Sequence, residues 1–575
     1  MTNWKKRDKS VNTFEDFLKK KDINDLVSPK RDPYVKNLKE VCQFIASADR
    51  AKTWTIMADY DADGICSGTI MHKVVQLLGV KDIRVRFPRR FSEGYGLSMK
   101  VVDECPENSI LVTVDNGIAA VDEIKKAKEK GITVIVTDHH MAREDGTIPN
   151  ADAVIDPNAI YDDETYRNYC GAGIAYRIMK ELFPNSPDLR KMEVFAGIAT
   201  VTDVMELTGD NRNLVRDAIN LINSGEMTNG LRALVHEFGI EYISEGDFGF
   251  TLGPAFNAAG RMLDDGAFLV YDLISRDFPE TPEEMFTFDA MLSSKAQELI
   301  NLNKQRQDAV LNAMEEVHSM TENMKVGMPV VIEMDDVSSG IVGIIAGKLA
   351  EEFKAPAIVF SAVEQENGET LLKGSGRTYG DVHLKHLLDS LKVYLVGYGG
   401  HAGAAGLSLK PKNLNEFKEK FMAKYIELKP KSSGNEDVEE YDFDVKPENL
   451  AELITEMRKY APYGQGNRKP VVRIVDFDLV KNNSGSCHTI MGRNKNHVKV
   501  NGPYNISGLL FGQAERYTED GYPKRIDIIG IPSENVFRGE SRQQIEISDY
   551  AVHVESVHSD TVIDFSSFLM GASGH

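Results

Sequence analysis

At 575 residues the chain is long enough for roughly three or four domains, and its 27% charged and 42% hydrophobic residues exclude global disorder and fibrous classes. Lys and Arg number 67 against 88 Asp and Glu, a formal charge of −21, so a surface that binds polyanions all over is excluded and any basic site must be local. Cys42, Cys66, Cys105, Cys170 and Cys487 contain no CxxC spacing, which argues against a disulfide framework and a structural zinc site. No apolar run approaches the roughly 18 residues that cross a bilayer, and the basic stretch 1–10 has no apolar segment behind it. A cytoplasmic protein without a membrane partner is expected.

After an N-terminal extension over 1–50, the runs 54–58, 110–114, 132–136 and 153–155 read as buried strands, with helices at about 66–79 and 118–130. That alternation predicts a parallel sheet, so 51–280 is expected to be an α/β catalytic domain whose last part, 190–280, is mainly helical. Phe288, Leu292, Ala296, Leu299, Val310, Ala313 and Val317 step by three and four, with Asn303 and Arg306 in phase, which predicts one long connecting helix within 281–325. A second, smaller α/β domain is expected over 326–428, with strands at 330–332 and 357–360 around a helix at 341–353. The polar stretch from 429 to 440 opens a linker drawn to 466.

Beyond 466 five short runs, 471–475, 497–500, 506–511, 525–529 and 544–547, suggest a small β-barrel over 467–555 of the oligonucleotide-binding (OB) type. Residues 467–540 carry 11 Lys and Arg against 8 Asp and Glu, a basic balance that fits a nucleic-acid face but also arises by chance. The tail 556–575 gives no readable signal.

The chemistry sits between the first strands. Asp59-Tyr-Asp-Ala-Asp-Gly64 follows the first, Asp115-Asn-Gly117 the second and Asp138-His-His140 the third. Each alone suits an ordinary turn, but three such clusters after consecutive strands of one parallel sheet meet where that sheet places its ligand crevice. Asp203, an acid among apolar residues on a predicted helix, implies a metal or cationic partner. Carboxylates with one or two imidazoles suit Mn²⁺ or Mg²⁺ better than structural zinc, and two such ions can activate water and clamp both oxygens of an in-line phosphoryl displacement.

These residues resemble the four motifs of the DHH phosphoesterases, and the chain is similar beyond them to the RecJ branch, the single-stranded-DNA-specific 5′→3′ exonucleases. The further motifs are Pro88–Leu97, Cys170–Gly173, Gly253–Arg261, Gly374–Arg377, Gly399–Gly406 and Pro462–Asn467, in family order over roughly residues 50–550. The resemblance implies a DHH domain, a DHHA1-like substrate-binding domain and an OB domain. It also implies two ions held by Asp61, Asp63, Asp115, His139 and Asp203, with Asp115 bridging and Asp59 a further candidate. Asp63, Asp115 and His140 are the catalytic group it implies, His140 contacting the scissile phosphate. Arg90, Tyr95, Asn257, Arg261, Ser375 and Arg377 match positions that hold the 5′ phosphate and nearby backbone; for Arg90, beside Arg84, Arg86 and Arg89, a plain solvated charge is the other reading. His401, in a run of small residues, is expected to donate to substrate, a tight strand crossing being the alternative use of those glycines.

One departure is visible. Where the family often carries a Trp-His pair, this chain has Val337-Ser338-Ser339, which leaves the metal set intact and bears on grip, rate or strand preference. The expected activity is release of 5′-mononucleotides from single-stranded DNA with a 5′ end, in repair or recombination, by a monomer working beside a single-strand-binding protein or helicase. The rivals are a DHH phosphodiesterase acting on short oligoribonucleotides or cyclic dinucleotides, and a non-catalytic scaffold that binds single strands.

Overall fold

In the computed structural model the described residues are 4–335, 337–365, 368–428, 438–482, 485–492, 494–537 and 540–552. Trp54–Ala58 (β1), Ile83–Arg86 (β2), Ile110–Val114 (β3), Thr133–Thr137 (β4) and Ala153–Ile155 (β5) form one sheet in the order β2-β1-β3-β4-β5, parallel throughout. Every residue of β1 and β3 is buried, the pattern of strands covered on both faces, which is why they read as unbroken apolar runs. Edge strand β2, Ile-Arg-Val-Arg, alternates apolar and charged residues and escaped the sequence reading.

Helices Ala62–Leu77 (α1) and Val121–Glu129 (α2) follow β1 and β3 as crossovers, α1 opening four residues earlier than its apolar pattern suggests because Asp61 caps it. Gly171–Leu182 (α3), Leu189–Thr202 (α4) and Gly253–Met262 (α5) complete the packing relevant to the crevice. The connecting helix is Phe288–Thr321 (α6), 34 residues, with Leu292, Ala296, Leu299, Val310, Ala313 and Val317 buried. A second sheet holds Val330–Met334 (β6), Ala357–Glu364 (β7), Thr370–Arg377 (β8), Leu395–Gly400 (β9) and Ala404–Leu409 (β10), ordered β9-β10-β8-β7-β6, with only β6 and β7 parallel. Helix Val342–Phe353 (α7) packs on it.

The described residues divide into two compact units, one drawn from 24–428 with 460–468 and the other from 4–23, 438–459 and 469–552. In the second unit Phe443–Asp444 (β11), Val472–Asp478 (β12), His488–Met491 (β13), His497–Asn501 (β14), Ser507–Leu510 (β15), Arg525–Phe537 (β16) and Glu540–Val552 (β17) pair in the order β11-β12-β16-β17-β15-β14-β13. Among the described residues these pairings run from β11 to β13 without closing a ring, and register shifts after Ile474 and Ile529 bend the sheet around Val472, Ile474, Phe477, Val498 and Ile528.

Two expectations about the connections change. The extension 1–50 is not one element: Trp4–Lys6 pairs in parallel with Glu439–Tyr441 in the second unit, while Val35, Leu38, Val41, Cys42 and Ile45 join the core under the parallel sheet. Of the linker drawn at 429–466, residues 429–437 lie outside the described residues. The remainder carries Glu439–Tyr441, β11 and an amphipathic helix Leu450–Arg458, all too short to overcome the polar composition around them. The tail 556–575 also lies outside the described residues.

Residues 460–468 return to the first unit for a physical reason. Arg212, fully buried, donates from Nη1 to the Pro462 carbonyl, from Nη2 to those of Tyr460 and Ala461, and from Nε to that of Leu26, all at 2.7–2.8 Å. Arg212→Met is expected to strip those carbonyls of their shared charged donor, Tyr460 and Pro462 keeping the bond from Asn467 Nδ2, and to lower the stability of this unit by about 3 kcal/mol or more, read as a shift of the urea midpoint without loss of soluble expression.

Candidate active site

The loops after β1, β3 and β4 deliver their side chains to one crevice at the carboxyl edge of the parallel sheet. Asp59 leaves β1; Asp61 caps α1, its Oδ1 accepting from the Asp63 and Gly64 amides at 3.0 and 3.1 Å. Asp63 lies in the first turn, and its two oxygens accept from the Gly171 and Ala172 amides at 2.7 and 2.8 Å, the open N-terminus of α3. Asp115 takes a left-handed backbone, φ 59°, where β3 turns away from the sheet. A Cβ at Gly171 would stand 2.6 Å from the Asp115 Cβ, so only glycine lets α3 approach this closely.

His139 Nε2 lies 3.1 Å from Asp115 Oδ1, 3.6 Å from Asp63 Oδ2 and 3.7 Å from Asp203 Oδ2. Asp203 sits one residue past the end of α4 and is partly exposed, not enclosed in the helix. Asp138 is the organiser of its motif. Its Oδ1 accepts from the His139 and His140 amides and from His140 Nδ1 at 2.8 Å, and its Oδ2 accepts from the Ile118 amide. The sequence reading quoted Asp138 but gave it no role, since its work is done through hydrogen bonds within its own loop.

Electrostatics show what the crevice suits. Burial, then the neighbouring Asp61, holds Asp59 well above the usual carboxylate range; burial, then Asp63 and Asp61, does the same to Asp115. Asp203 is pushed up to about 8 by burial and the same two acids. Burial lowers His139, whereas His140, which burial alone would also lower, is carried up to about 9 by its bond to Asp138. His140 is then a cation that donates to Asp138 and, across 3.3 Å, faces the Tyr95 hydroxyl. Asp59 Oδ1, Asp115 Oδ1 and His139 Nε2 are buried without hydrogen-bond partners. Asp59, Asp61 and Asp115, then Asp63, His139 and Asp203, and Asp115, His139 and His140 each bring ligand atoms within 4.8 Å of one another. Orphaned oxygens and an imidazole nitrogen in so acidic a cluster are a donor set fitted to hard divalent cations.

A cavity of about 500 Å³ adjoins this cluster, lined by Tyr60, Arg90, Tyr95, Arg261, Ser375 and Arg377 among others, with no Asp or Glu in its wall. The Arg90 guanidinium lies 4.8 Å over the Tyr60 ring, which meets Tyr95 edge-on. Arg377 Nη1 donates to Ser375 Oγ at 2.8 Å. Burial, then mutual repulsion with Arg90, Arg306 and Arg377, lowers Arg261 to about 10. Ser339 lines the same wall, and Gly340 abuts the Arg261 carbonyl so closely that a Cβ would stand 2.1 Å from it, so of the departure at 337–339 Ser339 is the residue that joins the arginine wall.

Two residues expected to contact substrate stand outside the wall of this cavity. Asn257 accepts from the Ala62 amide at 2.9 Å and so braces the acidic loop, outside the wall of the large cavity. His401 is exposed in the β9–β10 turn, its amide donating to the Ala404 carbonyl, and it is not part of that wall, whereas Gly399 and Gly406 of the same run do line it and Gly400 serves the tight turn.

Three family models match the chain: DHH family, N-terminal domain, over 53–201; DHHA1 domain, over 327–427; and RecJ OB domain, over 441–549. The first sets the class, a DHH-type fold with acids and imidazoles gathered at the sheet's carboxyl edge. The chain is 30% identical over 522 residues to the single-stranded-DNA-specific exonuclease RecJ of Dickeya dadantii, covering 86% of each chain. It therefore belongs to the RecJ family. A crystal structure of RecJ with Mn²⁺ from Thermus thermophilus shares the fold, with a TM-score of 0.74 at 24% identity, covering 92% of this chain and 74% of that one. A crystal structure of exonuclease RecJ bound to manganese, 28% identical, has a TM-score of 0.58 over 69% of this chain and 96% of that one. Among the described residues no helix is long and apolar enough to cross a membrane.

Proposed function

We propose that this chain is a single-stranded-DNA-specific exonuclease that removes 5′-mononucleotides by hydrolysis at a pair of divalent cations. The observation that carries the reading is Tyr95, which lines the acid-free arginine cavity and also meets His140 at the edge of the carboxylate cluster. A terminal phosphate anchored among Arg90, Arg261, Ser375 and Arg377 would place the next phosphodiester beside that cluster. Arginine forks suit a phosphate dianion, and an end-anchored strand explains the choice of an exonucleolytic product.

Asp61, Asp63, Asp115, His139 and Asp203 would hold the cations, Asp115 shared between them and Asp59 available to one. When bound, Mn²⁺ or Mg²⁺ supplies water activation and charge neutralisation at the reacting phosphate. The α3 amides fix Asp63, and Asp138 fixes both histidines, so the ligand set is oriented before substrate arrives. His140, tied through Nδ1 to Asp138, turns Nε2 toward Tyr95 and the arginine cavity, from where it would donate to the phosphoryl oxygen on which charge builds. The OB domain adds strand affinity through its exposed Tyr504, Phe511 and Tyr522, rings on which bases can stack. A cytoplasmic monomer, supplied with single strands by a helicase or a single-strand-binding protein, is the working form we propose.

Incubation with 5′-labelled single-stranded and duplex DNA of one sequence tests this. Metal-dependent release of labelled mononucleotide from the single strand alone is expected; cleavage in chelator, or of a circular strand at the linear rate, refutes it. Saturating Mn²⁺ is also expected to raise the melting temperature and EDTA to reverse the rise, because the cations relieve buried carboxylates that only the folded chain gathers.

A further inference from the structure

A second, smaller cavity of about 180 Å³ lies beside the first and shares Arg261 with it. Its other polar walls come from Thr202, Asn257 and Arg306. Arg306 stands on α6 in phase with the apolar face, where a residue serving only the helix would be hydrophobic. Its Nη2 donates to Asn303 Oδ1 at 2.6 Å, one turn back, but its Nε is buried without a partner, and no salt bridge to Arg306 occurs among the described residues. Burial is the one cause that lowers its pKa, with no acid near enough to oppose it, while Arg261 feels its repulsion.

A half-buried guanidinium with an unmade hydrogen bond, sharing a cavity wall with another arginine, is costly unless an anion joins them. Thr202 adjoins Asp203, and Asn257 braces the loop of Asp61 and Asp63, so that space lies close to the acidic cluster, and neither Arg90 nor Arg377 lines it. We infer that Arg306 is the centre of a second phosphate-binding subsite, distinct from the Arg90 and Arg377 cavity and sharing Arg261 with it. Its ligand is a phosphate, carried either by the strand or by the released mononucleotide. This rests on the exonuclease reading.

The test uses the full chain, Arg306→Gln and Arg306→Lys. In chelator, binding of a 5′-phosphorylated single-stranded decamer is measured over a salt series. Where the strand supplies the phosphate, loss of that contact is expected to reduce the slope of log K against log salt by about 0.7 in Arg306→Gln, with Arg306→Lys restoring most of it. If the strand supplies the phosphate, KM for the decamer rises about tenfold in Arg306→Gln while that for a phosphorylated dinucleotide is unchanged. If the product supplies it, inhibition by added mononucleotide weakens about tenfold, with the decamer's KM and salt slope unchanged. Wild-type salt slope, KM and product inhibition in Arg306→Gln would overturn the subsite, whether or not the melting temperature falls, leaving Arg306 as a brace for Asn303. Absence of digestion by the wild-type chain would instead overturn the exonuclease reading, and the salt slopes would still decide the strand-bound form of the subsite.

Discussion

Asp115→Asn is expected to reduce digestion of single-stranded DNA at saturating Mn²⁺ by about a thousandfold or more, since a ligand shared by two cations supports several kcal/mol of transition-state stabilisation. The same substitution is expected to raise the melting temperature of the metal-free protein. Asp115 is buried, has an oxygen without a partner and is surrounded by Asp59, Asp61 and Asp63, so the charge is a burden on the fold until cations arrive. The Mn²⁺-induced rise in melting temperature should shrink in the variant. Opposite movement of activity and metal-free stability separates a functional ligand from a structural acid, whose loss would lower both. Retention of turnover within a few-fold of wild type would remove Asp115 from the metal set.

Arg377→Ala should act on the end of the strand and leave the hydrolytic step alone. Removing one charged donor to a terminal phosphate costs about 2 kcal/mol, so kcat/KM for 5′-phosphorylated single strands should fall roughly 30-fold, mainly through KM. Strands ending in a 5′ hydroxyl, which already lack that contact, should lose much less. Ser375→Ala should move in the same direction by a smaller amount, since Ser375 Oγ accepts from Arg377 and helps to aim it. Equal losses on both kinds of end would place Arg377 in the general grip on the backbone and remove the end-recognition role.

The catalytic sheet was legible because its strands are buried on both faces and so print as apolar runs, and the acids were legible because they follow those runs directly. Ile83–Arg86 was not, since an edge strand with charges at alternate positions has no run to see. The site's supports were hidden for a different reason: the amides that hold Asp63 lie 108 and 109 residues away, at the start of α3, and no spacing rule joins them. Asn257 was seen as a member of a motif, but its brace on the Ala62 amide was not, because a motif names residues without saying which of them also hold the loop beneath. Arg306 was visible only as a position on a helix face. Its lack of a counter-charge is a property of three dimensions. The helix Leu450–Arg458 carries its apolar residues at 450, 453, 454 and 457, a readable pattern lost beneath the polar composition of the segment before it.

The Arg212 clamp bears on how this protein can be divided. A fragment stopped anywhere in 429–459 would contain both sheets, α6 and every acid of the crevice, yet it would lack the carbonyls of Tyr460, Ala461 and Pro462 that receive Arg212. Such a truncation carries its own defect, a buried cation stripped of three of its four acceptors, so inactivity would say nothing about the need for the OB domain. The nine-residue peptide 460–468, added as a free molecule or grafted by a short turn after 428, is the missing piece, and complementation by it would let the catalytic half be studied alone.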